Sequence, residues 1–257
     1  LGLTRDDLED RVIPTCGLDE RGNRIFDFGS RTFTFVLGPE MKPMVKDEKG
    51  KRKANLPKPG KNDDETKAKE ALADWKLMKK QIRQICKIQA TRLEQGMIKG
   101  RRWRTAEFQK LIANHPLMTH VAQSLLWAQF SEQGTLLTSF RITEEQDFAD
   151  SEDETITLED KAVVGLVHPL ALPEQERATW GQVFADYEII PPFPQLGRTV
   201  YRLEPGEEQK ECIDRFTDLS LPAPTLVFGL EKQGWTRGLA MDAGCFCEHS
   251  KIFDSAG

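Results

Sequence analysis

The sequence has 257 residues, with 36 lysines and arginines against 41 aspartates and glutamates. With 39% hydrophobic and 30% charged residues it is neither collagen-like nor disordered throughout, and a chain of this length can bury a core unaided. Its apolar runs are far shorter than the roughly 20 residues that span a bilayer, so we expect a cytoplasmic protein without membrane contact. Because the first residue is Leu rather than Met, we also expect a piece of a longer chain.

Charge is divided unevenly along the chain. Residues 41–110 carry 21 basic and 9 acidic side chains, whereas residues 111–257 carry 10 basic and 24 acidic ones. The most acidic stretch, residues 144–160, has nine carboxylates and no cation. Such asymmetry predicts either that the basic part docks on the acidic part or that a basic face is offered to an anionic partner. We favour internal docking.

The N-terminal residues 1–40 predict a β-hairpin region. Residues 18–23 have the composition of a turn, and in the segment that follows Phe33 and Phe35 alternate with threonines, as in a half-buried strand. Residues 41–66 are rich in lysine, proline and glycine and predict a charged loop. The remaining residues, 67–257, are expected to form the main body.

A long amphipathic helix over residues 66–97 is the clearest predicted element. Side chains at three- and four-residue spacing form an apolar stripe: Ala68, Leu72, Trp75, Ile82, Cys86, Gln89 and Leu93. Four cations follow the same spacing on another face, and we call them the basic ridge: Lys76, Lys80, Arg83 and Lys87.

Short elements of both kinds are predicted in the rest of the chain. We expect helices over residues 105–113, 117–130, 173–187 and 207–219 and strands over residues 135–142 and 199–203, while residues 161–167 fit either type. More residues are predicted in helices than in strands, and the sequence lacks the regular alternation of strand and helix that indicates a parallel sheet. The predicted fold class is therefore α+β, dominated by helix, with an N-terminal β-hairpin and a small antiparallel sheet.

Short motifs in a fixed order carry a family resemblance. They include Gly17-Leu18-Asp19-Glu20, Arg92-Leu93-Glu94, Arg102-Trp103, His115-Pro116, His168-Pro169 and Gly234-Trp235. In this order the chain resembles a bacterial domain of unknown function found in MolR-like (molybdate metabolism regulator-like) proteins, where it often follows a nucleic-acid-associated WGR domain. The resemblance covers most of the chain and implies a cytoplasmic module of a larger protein, with no assigned catalytic residues. It predicts a glutamine where this sequence has Pro191.

One candidate site is a nucleic-acid surface along the long helix and just beyond it. The basic ridge would continue into Arg101, Arg102, Trp103 and Arg104, with cations neutralising phosphates and Trp103 stacking on a base. A solvated helix face is the alternative, and we favour it because the net charge of -5 is unlike that of a dedicated nucleic-acid binder.

Two weaker candidates lie nearer the C-terminus. His168, Asp186, Tyr187 and Arg198 could line a pocket for an anionic ligand or a substrate, or they could be an ion-paired connection, with His168 hydrogen-bonded at a helix entrance. Cys245, Cys247 and His249 are residue types that bind zinc, but the one-residue gap between the cysteines and the missing second pair of ligands argue against a site. We expect reduced thiols, no metal and no cofactor.

The sequence contains none of the legible enzyme motifs. It has no Walker-type phosphate loop, no G-x-G-x-x-G, no G-x-S-x-G and no H-E-x-x-H. We therefore predict a non-catalytic interaction or regulatory domain whose partners are other domains of the same longer chain, with another protein as a further candidate. An auxiliary nucleic-acid-binding module and an enzyme with a polar pocket around residues 168–202 are the alternatives.

Overall fold

The computed structural model describes residues 2, 4–217, 219–239 and 248–251. The chain forms two compact units, residues 1–199 and 200–257, which are described separately below. Helices of the first unit are α1 (Arg5–Arg11), α2 (Glu65–Lys99), α3 (Thr105–Phe108), which continues into a π-helical turn (Gln109–Ala113), α4 (Met118–Ala122) and α5 (Glu174–Asp186). Its strands are β1 (Ile25–Asp27), β2 (Thr32–Gly38), β3 (Lys42–Asp47), β4 (Arg52–Lys53), β5 (Trp103–Arg104), β6 (Trp127–Phe130), β7 (Leu136–Ile142), β8 (Phe148–Ala149) and β9 (Val163–Leu166). The predicted α+β class is confirmed.

The first sheet begins with the predicted hairpin, in which Phe26 of β1 lies opposite Phe33 of β2. The sheet is antiparallel, in the order β1-β2-β3-β4. The prediction of a loop over residues 41–66 is wrong for its first part, because β3 and β4 lie there. Pro43 and Val45 of β3 are buried, whereas Lys42 and Lys46 on the other face are exposed. The sequence of this strand is therefore as rich in charge as that of a loop.

Helix α2 is the predicted long helix, with clear chemical signals at both ends. The Asp64 carboxylate accepts hydrogen bonds from the first free backbone N–H groups, and Gly100 ends the helix in the left-handed conformation, at φ 71°. Its apolar stripe is buried in the main core and packs against β1, β3 and β9. Across the described residues, no helix is long and apolar enough to cross a membrane.

The second sheet is antiparallel and has the order β5-β9-β6-β7-β8. The predicted helix over residues 117–130 is wrong beyond Ala122, because residues 127–130 form the central strand β6. All four side chains of β6 are buried, so the alternation that identifies a half-buried strand is absent from its sequence. The undecided segment 161–167 contains β9.

Helix α5 confirms the helix predicted over residues 173–187. A smaller apolar cluster lies between it and the second sheet. Trp180 of α5 is fully buried, and its indole N–H donates to the Ser139 hydroxyl of β7 at 2.8 Å. Phe184 packs edge-on against Trp180. This contact fixes α5, and with it the segment that follows, against the sheet.

The second unit contains α6 (Ala223–Lys232) and the antiparallel pair β10 (Thr236–Arg237) and β11 (His249–Ser250). Two predictions are wrong here. Residues 199–203 form no strand, and the helix predicted over residues 207–219 is reduced, in its described part, to a 3-10 turn at Asp214–Phe216. The division between the units falls inside the predicted body of residues 67–257.

Candidate functional site

The four side chains of the basic ridge are exposed along one face of α2. None of them has an ion pair or a side-chain hydrogen bond to any residue that the structure describes. Between Asp74 and Glu94 the helix carries six cations and no carboxylate. From Lys76 to Lys87 the ridge extends about 16 Å along the helix axis.

Cations on either side of the ridge are neutralised. At the start of α2, Lys67 pairs with Asp27 at 2.8 Å, and near its end Arg92 pairs with Glu9 at 2.9 Å. Among the described residues up to 199, the ridge therefore does not make the ion pairs expected if the basic part docked on its own acidic half. Within the acidic stretch 144–160, Asp153 forms an ion pair with Arg141 of β7.

A groove of about 740 Å³ runs beside the ridge, between α2 and the segment before it. Lys79 lies at its edge, where its ammonium group donates to the Ala54 carbonyl at 3.1 Å. Burial lowers the pKa of Lys79, and the nearby positive charge of Arg83 lowers it further. The indole N–H of Trp75, another lining residue, has no acceptor among the described side chains and backbone groups. The groove thus presents hydrogen-bond donors and positive charge.

The predicted continuation of the ridge beyond α2 is wrong for three of its four residues. Trp103 is 4% exposed and cannot stack on a base. The Arg101 guanidinium lies 4.7 Å from the Trp103 ring and pairs with Asp10 at 2.7 Å. Arg102 is held over the ring of Phe130, and burial lowers its pKa. Arg104 is exposed, which leaves it as the single residue of this group that could add to the ridge.

A buried carboxylate explains why Arg101 and Trp103 turn inward. Asp10 of α1 is 4% exposed and accepts hydrogen bonds from Arg92 at 3.1 Å, Arg101 at 2.7 Å and the indole N–H of Trp103 at 2.8 Å. The cluster fastens α1 to the end of α2 and to β5. Sequence reasoning missed it, because an aspartate in a charged N-terminal segment carries no sign of burial.

The two His-Pro motifs have the same local geometry. In each, Nδ1 of the histidine accepts the backbone N–H of the residue two positions later, Leu117 for His115 and Leu170 for His168, at 3.2 Å in both cases. The interpretation of His168 as a helix-entrance histidine is confirmed. Desolvation lowers its pKa, and the positive charge of Arg198 acts in the same direction.

The four residues proposed for a catalytic pocket are bound to different partners. Asp186 is exposed and accepts a hydrogen bond from Gln182, while the Tyr187 hydroxyl donates to Asp153 at 2.8 Å. Arg198 pairs with Glu94 of α2 and donates to a backbone carbonyl of its own loop. The side chains form separate polar pairs rather than one constellation.

Gln195 is a structural residue that the sequence did not reveal. Its side chain is fully buried, and its amide accepts the backbone N–H of Leu126 and donates to the carbonyls of Leu126 and Val167, at 2.8–3.0 Å. It thereby ties the loop after α5 to the residue before β6 and the residue after β9.

The weak metal candidates receive no support from the described part of the chain. Cys245 and Cys247 lie outside the described residues, and His249 is in β11. No group of three or more metal-binding side chains occurs among the residues that are described. Cys16, Cys86 and Cys212 are free thiols, and burial raises the pKa of Cys86 to about 12.

Comparison with known proteins places the chain beside others of unknown function. A family model described as "Domain of unknown function (DUF4132)" matches residues 50–235. The chain is 38% identical over 239 residues to "Uncharacterized protein YehI" of Escherichia coli strain K12. The matched region covers 92% of this chain but 20% of that relative, so the chain spans about a fifth of the relative's length. No solved structure matches it significantly.

Proposed function

This chain belongs to the DUF4132 family of domains of unknown function, and we propose that it is a non-catalytic interaction domain that binds the phosphate backbone of nucleic acid through its basic ridge. The observation that carries the proposal is the unneutralised ridge. Elsewhere on α2, Lys67 and Arg92 pair with carboxylates and Lys79 donates to a backbone carbonyl. The side chains of the basic ridge have no such partner in the described structure and stand exposed in a line.

The arrangement of the ridge supports a backbone contact rather than base reading. Cations on successive turns of a straight helix can follow a row of phosphates, and each neutralised phosphate releases condensed counterions. Because Trp103 is buried, the ridge lacks the aromatic platform on which bases stack in sequence-tolerant single-strand binders. We therefore expect weak, salt-sensitive binding with little preference for sequence.

A larger protein gives such a domain its context. The relative in Escherichia coli is about five times as long as the matched region, and we place this domain among MolR-like, cytoplasmic bacterial proteins in which a WGR domain is a neighbour. In that setting other domains of the same chain would be its nearest partners, and a weak backbone contact would add to theirs.

An enzymatic role is the less favoured proposal. Catalysis by general acids and bases needs groups within hydrogen-bond reach of one reacting atom. Tyr187 is bound to Asp153 and Arg198 to Glu94, so these two side chains are engaged in different places.

The test is titration of the domain with fluorescently labelled duplex and single-stranded DNA and RNA at two salt concentrations. Lys80→Glu/Arg83→Glu should abolish the binding seen at low salt, because two of the four ridge cations become repulsive. Lys110→Glu/Lys161→Glu changes the net charge equally at exposed positions off the ridge and should leave binding nearly unchanged. No binding at low salt, or equal loss in both double variants, would refute the proposal.

A further inference from the structure

A second groove, of about 740 Å³, lies in the first unit on a side that the basic ridge does not line. Its walls come from the end of β2, from α4, from the buried end of β7 and from the segment after α5. The lining includes the apolar side chains of Leu37, Ile142, Phe184, Ile189 and Ile190. Polar side chains, among them His120, Gln123 and Arg141, line the same groove. A largely apolar lining with a few polar groups is the usual composition of a ligand site.

Arg141 is the most buried charged residue that lines this groove, and its side chain is 9% exposed. Its Nη2 donates to Asp153 at 2.7 Å, and its guanidinium lies 4.0 Å from the centre of the Tyr187 ring. The Tyr187 hydroxyl also donates to Asp153, which closes the triad. Arg141 lowers the pKa of Asp153, and the hydrogen bond to Asp153 raises the pKa of Tyr187. The guanidinium is thus held in one orientation before any ligand arrives.

One nitrogen of this fixed guanidinium lacks an acceptor. Nε of Arg141 is buried and has no hydrogen-bond partner in the described part of the molecule. A buried N–H left without a partner costs about 1–3 kcal/mol, so such groups are rare in folded proteins. A ligand oxygen that reaches Nε, once the side chains that cover it shift, would remove that cost.

Three residues in or beside the same groove have a left-handed backbone conformation. Met41 and Glu188, which line it, have φ angles of 56° and 53°, and Glu40 beside Met41 has 55°. Residues with a Cβ atom rarely adopt this left-handed region, and holding them there costs about 1 kcal/mol each. Strained backbone of this kind concentrates at binding sites, where the surrounding structure maintains it.

The remaining polar groups define what the ligand carries. Nε2 of His120 lies 2.8 Å from the Gly22 carbonyl, and burial lowers the pKa of the ring, so at neutral pH Nε2 is the donor and Nδ1 is left as an acceptor. The Gln123 side-chain amide donates to the Thr143 carbonyl, which leaves its oxygen as an acceptor too. The side chains that line the groove therefore keep both donor and acceptor atoms beside its apolar residues.

We propose that this groove binds the C-terminal end of a peptide, with the terminal carboxylate at Arg141 and the last side chain against the apolar wall. A peptide end has a carboxylate oxygen for the guanidinium, backbone N–H groups for the free acceptors and a side chain for the apolar residues of the groove. A phosphate group fits less well, because Glu144 and Glu188 also line the groove and would repel its larger negative charge. Arg52, exposed on the opposite rim, offsets part of the charge of a single carboxylate.

The test follows the Nε–H resonance of Arg141 by NMR in the whole chain. N-acetyl-leucine carries a carboxylate, an amide N–H and an apolar side chain, and we expect it to shift this resonance saturably, with a Kd in the millimolar range. N-acetyl-leucinamide, which lacks the charge, should shift it at least tenfold less effectively. Arg141→Lys identifies the resonance by its loss, and Arg52→Gln, at an exposed position, should weaken binding without affecting the fold.

Three results of this NMR experiment would contradict the proposal. A resonance that does not move with N-acetyl-leucine, or moves equally with the amide, excludes a carboxylate site. A stronger effect of phenyl phosphate would show that the groove selects phosphate. Because these probes do not touch the basic ridge and the ridge variants do not touch this groove, either proposal can fail while the other stands.

Discussion

At the scale of single residues, the chemistry of this domain is decided by which charges are paired. Arg101 and Arg102 look like surface cations in the sequence but are drawn inward, one by the carboxylate of Asp10 and the other by the ring of Phe130. Lys80 and Arg83 look the same in the sequence and remain free of partners in the described structure. The difference lies in partners that are distant in the sequence, 91 residues away for Arg101 and 28 for Arg102, and the local pattern does not contain them.

The buried carboxylate of Asp10 gives a prediction about stability. Asp10→Asn removes one charge from a cluster with two guanidiniums, and we expect the free energy of unfolding to fall by about 3 kcal/mol in urea denaturation. Asp6→Asn, an exposed position on the same helix, should cost less than about 1 kcal/mol. An equal loss in the two variants would show that α1 is not fastened through Asp10.

Asp63 gives a prediction about pH. The hydrogen bonds from Arg31, then from Ser30 and the Gly60 backbone, lower the pKa of its carboxyl from 3.8 to about 2. Because the pKa in the folded protein lies below that of the unfolded chain, its stabilising effect is complete above pH of about 4 and is lost as the pH falls towards 2.

In thermal unfolding, Asp63→Asn should therefore lower Tm at neutral pH, with the difference from the wild type shrinking between pH 4 and pH 2. Glu70→Gln, an exposed site on α2, serves as the control and should follow the wild type throughout. A difference in Tm for Asp63→Asn that stays constant across this range would contradict the account.

At the scale of elements, Gln195 joins the loop after α5 to the second sheet. Gln195→Leu keeps the approximate volume but leaves the backbone groups of Leu126 and Val167 without their side-chain partner, and should cost about 2–4 kcal/mol. Gln175→Leu, at an exposed position of α5, should change the free energy of unfolding by less than about 0.5 kcal/mol. Similar values for the two variants would mean that the loop is not held by this amide.

Elements with regular periodicity could be predicted, and those without it could not. Helix α2 and the β1–β2 hairpin follow directly from the spacing of their apolar residues. The sequence of strand β6 predicts a helix because burial on both faces removes the alternation. That of β3 predicts a loop because exposed Lys42 and Lys46 stand on either side of its buried positions. The ridge itself was predictable, whereas its freedom from partners depends on tertiary contacts.

At the scale of the whole molecule, the net charge of -5 conceals two different uses of charge. Cations near α1 and β1 build the fold through ion pairs, and those in the middle of α2 do not. An acidic protein that displays one unneutralised basic line can direct an anionic partner to that line and repel it elsewhere. The distribution of charge therefore supports the proposal that the domain is an interaction module.

The most direct test of that proposal is the salt dependence of duplex DNA binding. If the four ridge cations contact phosphates, the slope of log K against log salt concentration should be about -3.6, a loss of about 100-fold in affinity between 50 and 200 mM salt. Lys80→Glu/Arg83→Glu should abolish measurable binding, whereas Lys110→Glu/Lys161→Glu should keep the slope. A slope near zero, or one that the ridge variant leaves unchanged, would contradict the account.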